Sequence, residues 1–486
     1  MSDFLAAAGV LLAAAACAAS ILIPAGRLRS LAMVVAIGLF PILILGDQWH
    51  TQQIVDLRDH GSRIVALLVI GAVVVGALVL AFRRWPLLMP LAIVAALPFR
   101  VPLHAGGDTA NLLVPLYLVI AAAVVATLLR DWNSPPSSWS PRPLAWMLAA
   151  FVVLYAIQTL YSGDFSKGLQ NICFFLVPFT VAYRLLREVV WDRRLLTLVL
   201  VVVGVEAAAF VLVGSVEYLT RSLFWNDQVI RSNEFHTYFR VNSVFWDPNV
   251  YGRYLALVIV VAMAALLWAR DRRAFALLTA LVGLLWLGLA ETFSQSSFLA
   301  LLAGLAVLAA VRWSWRWTLG VVVVGAIGAV LVVTLVGGSG KVNFSRLNID
   351  TSGRANLVSG GIDLFGERPI QGYGSGSFQA AYSDHRTNKD IPVSVSHTEP
   401  VTIAAEQGLL GLFVYVALIV VALWTLASGI RGPPTLLAGR AAVLAAFVAL
   451  LVHTMAYAGF FEDPITWVLL AVGASLAAAP RVRDSA

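Results

Sequence analysis

The amino-acid sequence predicts an all-α fold: a polytopic transmembrane bundle of about 12–15 helices, at roughly 20 residues per crossing, with two large polar loops on its outer side. Three observations predict it. Of 486 residues, 60% are hydrophobic and 12% charged, with a mean hydropathy of +0.87, where a soluble domain has about 25% charged and 45–50% apolar residues. The apolar runs are continuous, as in ALLVIGAVVVGALVLAF at 66–82, and lipid requires the backbone to satisfy itself within helices or a closed barrel. Continuous rather than alternating runs choose the helix. Finally, arginines recur in alternate connections along the whole chain, the pattern of a multiply threaded membrane protein.

In chain order, apolar segments fall at 4–23, 31–46, 64–82, 86–99, 111–129, 144–161, 168–186, 195–216, 250–269, 274–290, 297–311, 317–337, 401–428, 437–457 and 464–479. The first resembles a signal peptide, but no basic stretch precedes it and Arg27 and Arg29 follow it, so it reads as a retained helix. Pro86, Pro90 and Pro98 crowd the fourth, which is expected to bend or break there. Cys17 and Cys173 both lie in apolar runs, which suggests neither a disulfide framework nor a Cys-based metal site. A net charge of +7 is accounted for by juxtamembrane Lys and Arg, and no nucleic-acid partner is called for.

The arginine-bearing connections include Arg83 and Arg84, Arg130 and Arg142, Arg184 to Arg194, Arg270 to Arg273, Arg312 and Arg316, Arg431 and Arg440, and the tail with Arg481 and Arg483. Positive residues mark the cytoplasmic side, which puts the C-terminus there. NSPPSSWSPRP at 133–143 reads as a cytoplasmic linker. The division is then 1–216, N-terminal spans; 217–249, first outer loop; 250–337, central spans; 338–400, large outer loop with a short amphipathic helix; and 401–486, C-terminal spans and tail.

Chemistry is expected in the outer loops, where polar residues are kept beside the membrane. In the first loop, Arg231, Arg240 and Arg253 interleave with Phe235, Tyr238, Phe239, Phe245 and Trp246. Planar arginines suit pyrophosphate, while the aromatics suit either headgroup anchoring or a sugar face. In the large loop, RANLVSGGIDLFG spaces Leu357, Ile362, Leu364 and Phe365 over a helical span after Ser352 as cap. GYGSGSF then sets Gly372, Gly374 and Gly376 at alternate positions, which fits a phosphate cradled by backbone N–H groups or a flexible turn. His397 stands at the start of a span beside Glu399 and near Glu406, an arrangement for a general base with an orienting carboxylate. His236, His385 and His397 with Asp384 match no metal-ligand spacing. No P-loop, GxSxG or helix-opening GxGxxG is present. Glu206 lies within an apolar run and suits either function or a helix-to-helix hydrogen bond.

Four stretches carry a family resemblance: FWDPNVYGRYLAL, ETFSQSSFLALLAG, GRANLVSGGIDLFGERPIQGYGSGSF and SHTEPVTIAAEQGLLGLF. In order, spacing and sidedness they resemble the O-antigen ligase-like membrane proteins, which comprise O-antigen ligases, related polymerases and protein O-oligosaccharyltransferases. The matches span roughly residues 240–415. The resemblance implies a GT-C-like architecture and a metal-independent glycosyltransferase, without cofactor, in the bacterial cytoplasmic (inner) membrane, acting on its outer side. The donor would be a glycan on a polyprenyl (undecaprenyl) pyrophosphate, and the acceptor a glycolipid, polysaccharide or protein. Carried over by position, Arg354 matches the arginine that holds the pyrophosphate and His397 the histidine that activates the acceptor hydroxyl. Arg231, Arg240, Arg253, Gln295, Gly372, Gly374, Gly376, Glu399 and Glu406 complete the expected site. The sequence departs from the family pattern at Gln295, where an arginine is expected, and at Thr398, where an asparagine is. A repeat-unit polymerase of the same family is the near alternative. A polysaccharide or lipid transporter is the distant one, suggested by the proline breaks and Glu206.

Overall fold

The computed structural model describes residues 3–49, 51, 55, 61–105, 108–133, 142–235, 238–323, 354–385, 395–430 and 434–478. His236, most of the 317–337 segment, the start of the large loop with Ser352, most of the 133–143 linker, Arg431 and the basic tail lie outside these residues. Among the described residues, eleven helices are long and apolar enough to cross a membrane, and two shorter apolar helices stand beside them. The expected all-α fold is the one observed. One two-stranded hairpin is added to it.

The helices are α1 (Asp3–Leu22), α2 (Arg27–Asp47), α3 (Gly61–Arg84), α4 (Leu88–Ala96), α5 (Val114–Asp131), α6 (Pro143–Thr159), α7 (Phe165–Asn171), α8 (Val177–Arg187) and α9 (Arg193–Thr220). They continue as α10 (Asp227–Phe235), α11 (Pro248–Leu267), α12 (Arg272–Glu291), α13 (Gln295–Arg312), α14 (Arg354–Glu367), α15 (Phe378–Asp384), α16 (Glu399–Gly429), α17 (Leu437–Thr454) and α18 (Pro464–Ala478). The proline-crowded segment is cut to the nine residues of α4. Pro98 cannot continue the helix, and the chain turns into β1 (Val101–Ala105) and β2 (Asp108–Leu112), paired antiparallel with Val101 opposite Leu112. α7 and α8 form one span through a π turn at Ile172–Leu176. Pro178 has no N–H to give the Phe174 carbonyl, and the Tyr117 hydroxyl donates to that carbonyl instead, at 2.8 Å. Lipid offers the freed carbonyl no partner, so a neighbouring helix supplies one.

Two large apolar cores result, besides a small one around Leu364, Phe378 and Ala405. One joins α1, α2, α5, α6, α8, α16, α17 and α18 around Phe151, Phe179, Phe447 and Trp467. The other joins α9, α11, α12, α13 and α17 around Phe210, Tyr251 and Leu285. Leu67, Leu68, Val69, Ile70 and Val73 on α3 face outward, as expected where the solvent is acyl chain. Glu206 accepts from the Tyr254 hydroxyl at 3.2 Å, which is the helix-to-helix bond of the two readings.

The two ends of the bundle differ in chemistry. At one end Arg29, fully buried, pairs with Asp131 and Glu188, and Arg184 also reaches Glu188 at 3.1 Å. Arg29→Met would leave two carboxylates without their central cation. It is expected to cost about 3–5 kcal/mol, the usual effect of breaking a buried pair from one side, read as a lowered unfolding temperature of the detergent-purified protein; an unchanged midpoint would contradict it. At the opposite end lie the β hairpin, the first loop, α14, α15 and the N-terminus of α16. There the buried Glu217 carboxylate accepts from the N–H groups of Phe224, Asn242 and Ser243, tying the first loop to α9.

Candidate active site

α16 is broken near its start. Gly408 adopts φ 63° and ψ −160°, so the helix is a short N-terminal arm followed by a long span. The 369–376 segment enters the break. Leu409 N–H donates to the Pro369 carbonyl at 2.7 Å, Tyr373 N–H to Ala405 O at 3.1 Å and Gly374 N–H to Glu406 O at 2.7 Å. A side chain at Gly408 would lie 2.3 Å from Ile370 O, and one at Gly372 2.3 Å from Glu406 O. Both also have left-handed backbones, so glycine is required at each. The N–H groups of Gly376 and Phe378 donate to the Glu406 carboxylate at 2.8 and 3.1 Å. Of the alternating glycines, Gly376 thus gives its N–H to the Glu406 carboxylate and Gly374 to the Glu406 carbonyl, so the protein's own Glu406 occupies this segment. Glu399 is likewise engaged, accepting from Gly459 N–H at 2.7 Å and Phe460 N–H at 3.0 Å.

The α16 arm presents His397 one residue before its cap, Thr398. His397 has φ 61°, a conformation that costs a non-glycine residue about 1–3 kcal/mol. Its neighbours hold it there. Buried Ser396 takes the Thr398 N–H on its hydroxyl and meets the Thr402 hydroxyl at 2.8 Å. Thr398 donates to Met455 O at 3.1 Å. The last contact fastens the His397 turn to the end of α17.

Around His397 a charged cluster closes. Its centre is Tyr457, whose ring lies 6.1 Å from that of His397, 5.9 Å from that of His453 and 5.9 Å from the Arg253 guanidinium. Asp247 and Arg100 both lie close enough to the Tyr457 hydroxyl to act on it electrostatically. Arg253 and Asp463, both buried, form an ion pair at 2.9 Å. Arg253 Nη1 is buried without a hydrogen-bond partner among the described residues. Arg240 donates to Thr292 O at 2.9 Å and to Asn249 Oδ1 at 3.0 Å. Arg354, the first residue of α14, donates to Ala456 O at 3.3 Å. Asn249 also accepts from Ser294, and Ser296 meets His453 at 3.2 Å, which locks the starts of α11 and α13 to the end of α17.

Electrostatics follow from this enclosure. Burial lowers the Arg100 guanidinium first; Asp463 opposes that shift and Arg253 adds to it. Arg240 is lowered by burial and by Arg354, with Asp247 opposing. His397 is lowered from 6.5, first by burial and then by Arg354, with Asp247 partly offsetting. The site therefore keeps this imidazole neutral, the form able to take a proton. Four arginines (100, 240, 253 and 354) face two aspartates (247 and 463), an excess of two positive charges that favours an anion.

Of the residues expected from sequence, His397, Arg354, Arg240 and Arg253 come together. Arg231 lies exposed on α10 and Gln295 exposed at the start of α13; neither enters the cluster. Glu399, Glu406, Gly372, Gly374 and Gly376 support the backbone on the other side of the α16 arm. His385 pairs with Glu367 at 3.0 Å, and among the described residues no three His, Cys, Asp or Glu side chains gather as metal ligands. Sequence reasoning missed Arg100, Asp247, His453, Tyr457 and Asp463. A histidine inside an apolar run, as His453 is, carried a usable signal; so did Arg100 and Asp463, charges set beside a proline turn or helix start.

No curated protein matches the chain significantly. Residues 280–416 match the family model for O-antigen ligase, a stretch that runs from α12 through the α16 break and contains Arg354 and His397. Together with its spanning helices, this match makes the chain a polytopic membrane protein similar to the O-antigen ligases over residues 280–416.

Proposed function

We propose that the protein transfers a glycan from a polyprenyl-pyrophosphate carrier to an acceptor hydroxyl at the outer face of the bacterial cytoplasmic membrane. The observation that carries this reading is the convergence of four arginines and one neutral-leaning histidine at the end of the bundle opposite its buried Arg29 network. The positive-inside rule makes the arginine-rich connections cytoplasmic, which puts the cluster on the outer side. A lipid-linked pyrophosphate carries a negative charge on each phosphate, held at headgroup depth, and the positive excess matches it.

His397 takes the proton of the acceptor hydroxyl as that oxygen bonds to the anomeric carbon. The bond from the anomeric carbon to the phosphate oxygen breaks, and its electron pair leaves with the pyrophosphate. Arg354, Arg240 and Arg253 stabilise the charge that collects there. Arg240 and Arg253 supply the cation that Gln295 does not. The leaving group is already activated, so this route calls for neither nucleotide nor metal.

The test is transfer in proteoliposomes supplied with a polyprenyl-pyrophosphate-linked oligosaccharide, following release of polyprenyl pyrophosphate and the length of the product. Arg354→Ala is expected to lower transfer about 10²–10³-fold, the range for removing one charge-stabilising donor, with the protein still folded and inserted. Wild-type rates in that variant, or no consumption of any such donor by the wild type, would sink the proposal. Addition of single glycans to an acceptor marks a ligase, and ladders of repeats mark a polymerase.

A further inference from the structure

On the far side of the α16 arm from His397 is a second polar pocket that the transfer chemistry does not use. It is a cavity of about 80 Å³, open at its mouth, small beside the 300–1,000 Å³ of drug-sized ligand sites, which restricts it to a small ligand. Glu399 and Gly459, joined by a hydrogen bond, both line it, and Glu399 is two residues from His397 in the chain. Glu399, Glu406 and Glu462 line it, against a single cation, Lys167. Its apolar wall includes Phe151 and Phe461, stacked at 3.6 Å between centroids.

A cluster of carboxylates is not in itself a site. The second observation is Asn171, which also lines the pocket and is only 7% exposed. Its Nδ2 donates to the Tyr155 hydroxyl at 2.9 Å, and its Oδ1 is buried with no hydrogen-bond partner among the described residues. A buried acceptor left open costs free energy unless a ligand fills it. Acceptors dominate this wall, so the fitting ligand is a donor: a group rich in O–H or N–H, with an apolar face for the phenylalanines. A sugar ring has both properties. The exposed Glu462 carboxylate repels a further negative charge, and the buried Glu399 and Glu406 offer such a charge no counterion.

We infer that this pocket is a subsite for one neutral or amino-bearing sugar ring, and that it rejects acidic sugars. The inference rests on the glycan-transfer reading and specifies its substrate class. The ring belongs either to the transferred glycan or to the acceptor. In both cases its hydroxyl or amino hydrogens donate to Asn171 Oδ1 and the carboxylates.

Saturation-transfer NMR on the detergent-purified full-length protein tests this with free glucose, glucosamine, N-acetylglucosamine and glucuronate. Glucosamine or a neutral sugar is expected to give a signal, and glucuronate none. Asn171→Leu is expected to abolish the signal. Glu462→Gln, at the exposed rim where folding is not at stake, is expected to admit glucuronate. No signal from any sugar, equal signals from glucuronate and glucosamine in the wild type, or Glu462→Gln retaining the wild-type discrimination would each overturn the inference. Prior addition of polyprenyl-pyrophosphate-linked donor displaces the free sugar if the ring is the donor's and leaves it bound if the ring is the acceptor's. His397→Asn should retain sugar binding, so failure of the pocket and failure of the transfer mechanism are read separately.

Discussion

His397→Asn is expected to reduce glycan transfer by about 10²–10⁴-fold, the contribution of a positioned general base, while the protein remains inserted and as stable as the wild type. Asparagine is the informative replacement because it tolerates the left-handed backbone at this position yet accepts no proton near neutral pH. Alanine would add backbone strain to the chemical loss. The wild-type pH profile carries a second signature. Burial and Arg354 lower the His397 pKa from 6.5, so the neutral base persists at pH values below that of an ordinary histidine. The acid limb of the transfer rate should accordingly lie below pH 6.5, with activity lost only as pH falls through the lowered value. Arg354→Gln removes one of the two causes and should move that limb upward in whatever activity remains. A limb at or above the ordinary histidine value, or one indifferent to Arg354, would show that another group is the base.

Asp463→Asn is expected to cost about 3–5 kcal/mol of stability, because it leaves the buried Arg253 without its counterion and facing Arg100. Asparagine keeps the helix start intact, since the Asp463 side chain also accepts from Ile465 N–H at 2.9 Å and asparagine caps equally well. The loss therefore reports charge. If Arg253 and Arg100 belong to a pyrophosphate site, inorganic pyrophosphate should raise the unfolding temperature of this variant more than that of the wild type, as a ligand that binds only the folded state does. Uncharged polyols at equal concentration should not. An Asp463→Asn protein as stable as the wild type, or one that pyrophosphate leaves unmoved, would mean that the pair is a structural rivet. Arg253→Met completes the comparison: it should lower transfer about 10²–10³-fold, and pyrophosphate should not rescue it.

Much of the molecule was legible in the chain. Continuous apolar runs mark the spans because each residue's preference for lipid is local and additive, and the arginine alternation orders their ends for the same reason. The helix that begins at Arg354 was legible through its spacing, since it is a short local unit. The glycine series was legible as demanding unusual backbone, but not for what purpose. Gly372, Gly374 and Gly376 read equally well as a phosphate cradle or a flexible turn, and only the packing of residues 369–376 into the Gly408 break showed that Glu406 occupies this segment.

Tertiary structure alone decided which polar residues share a site. Arg100, Arg240, Arg253, His453, Tyr457 and Asp463 sit on different elements, and their meeting depends on which helices pack together, a property of non-local contacts that no periodicity encodes. The same packing turned Arg231 and Gln295 outward. It also gave the end of the bundle opposite Arg29 two chambers, a cationic one at His397 and an acidic one behind it, where the sequence offered only a row of polar letters between membrane spans.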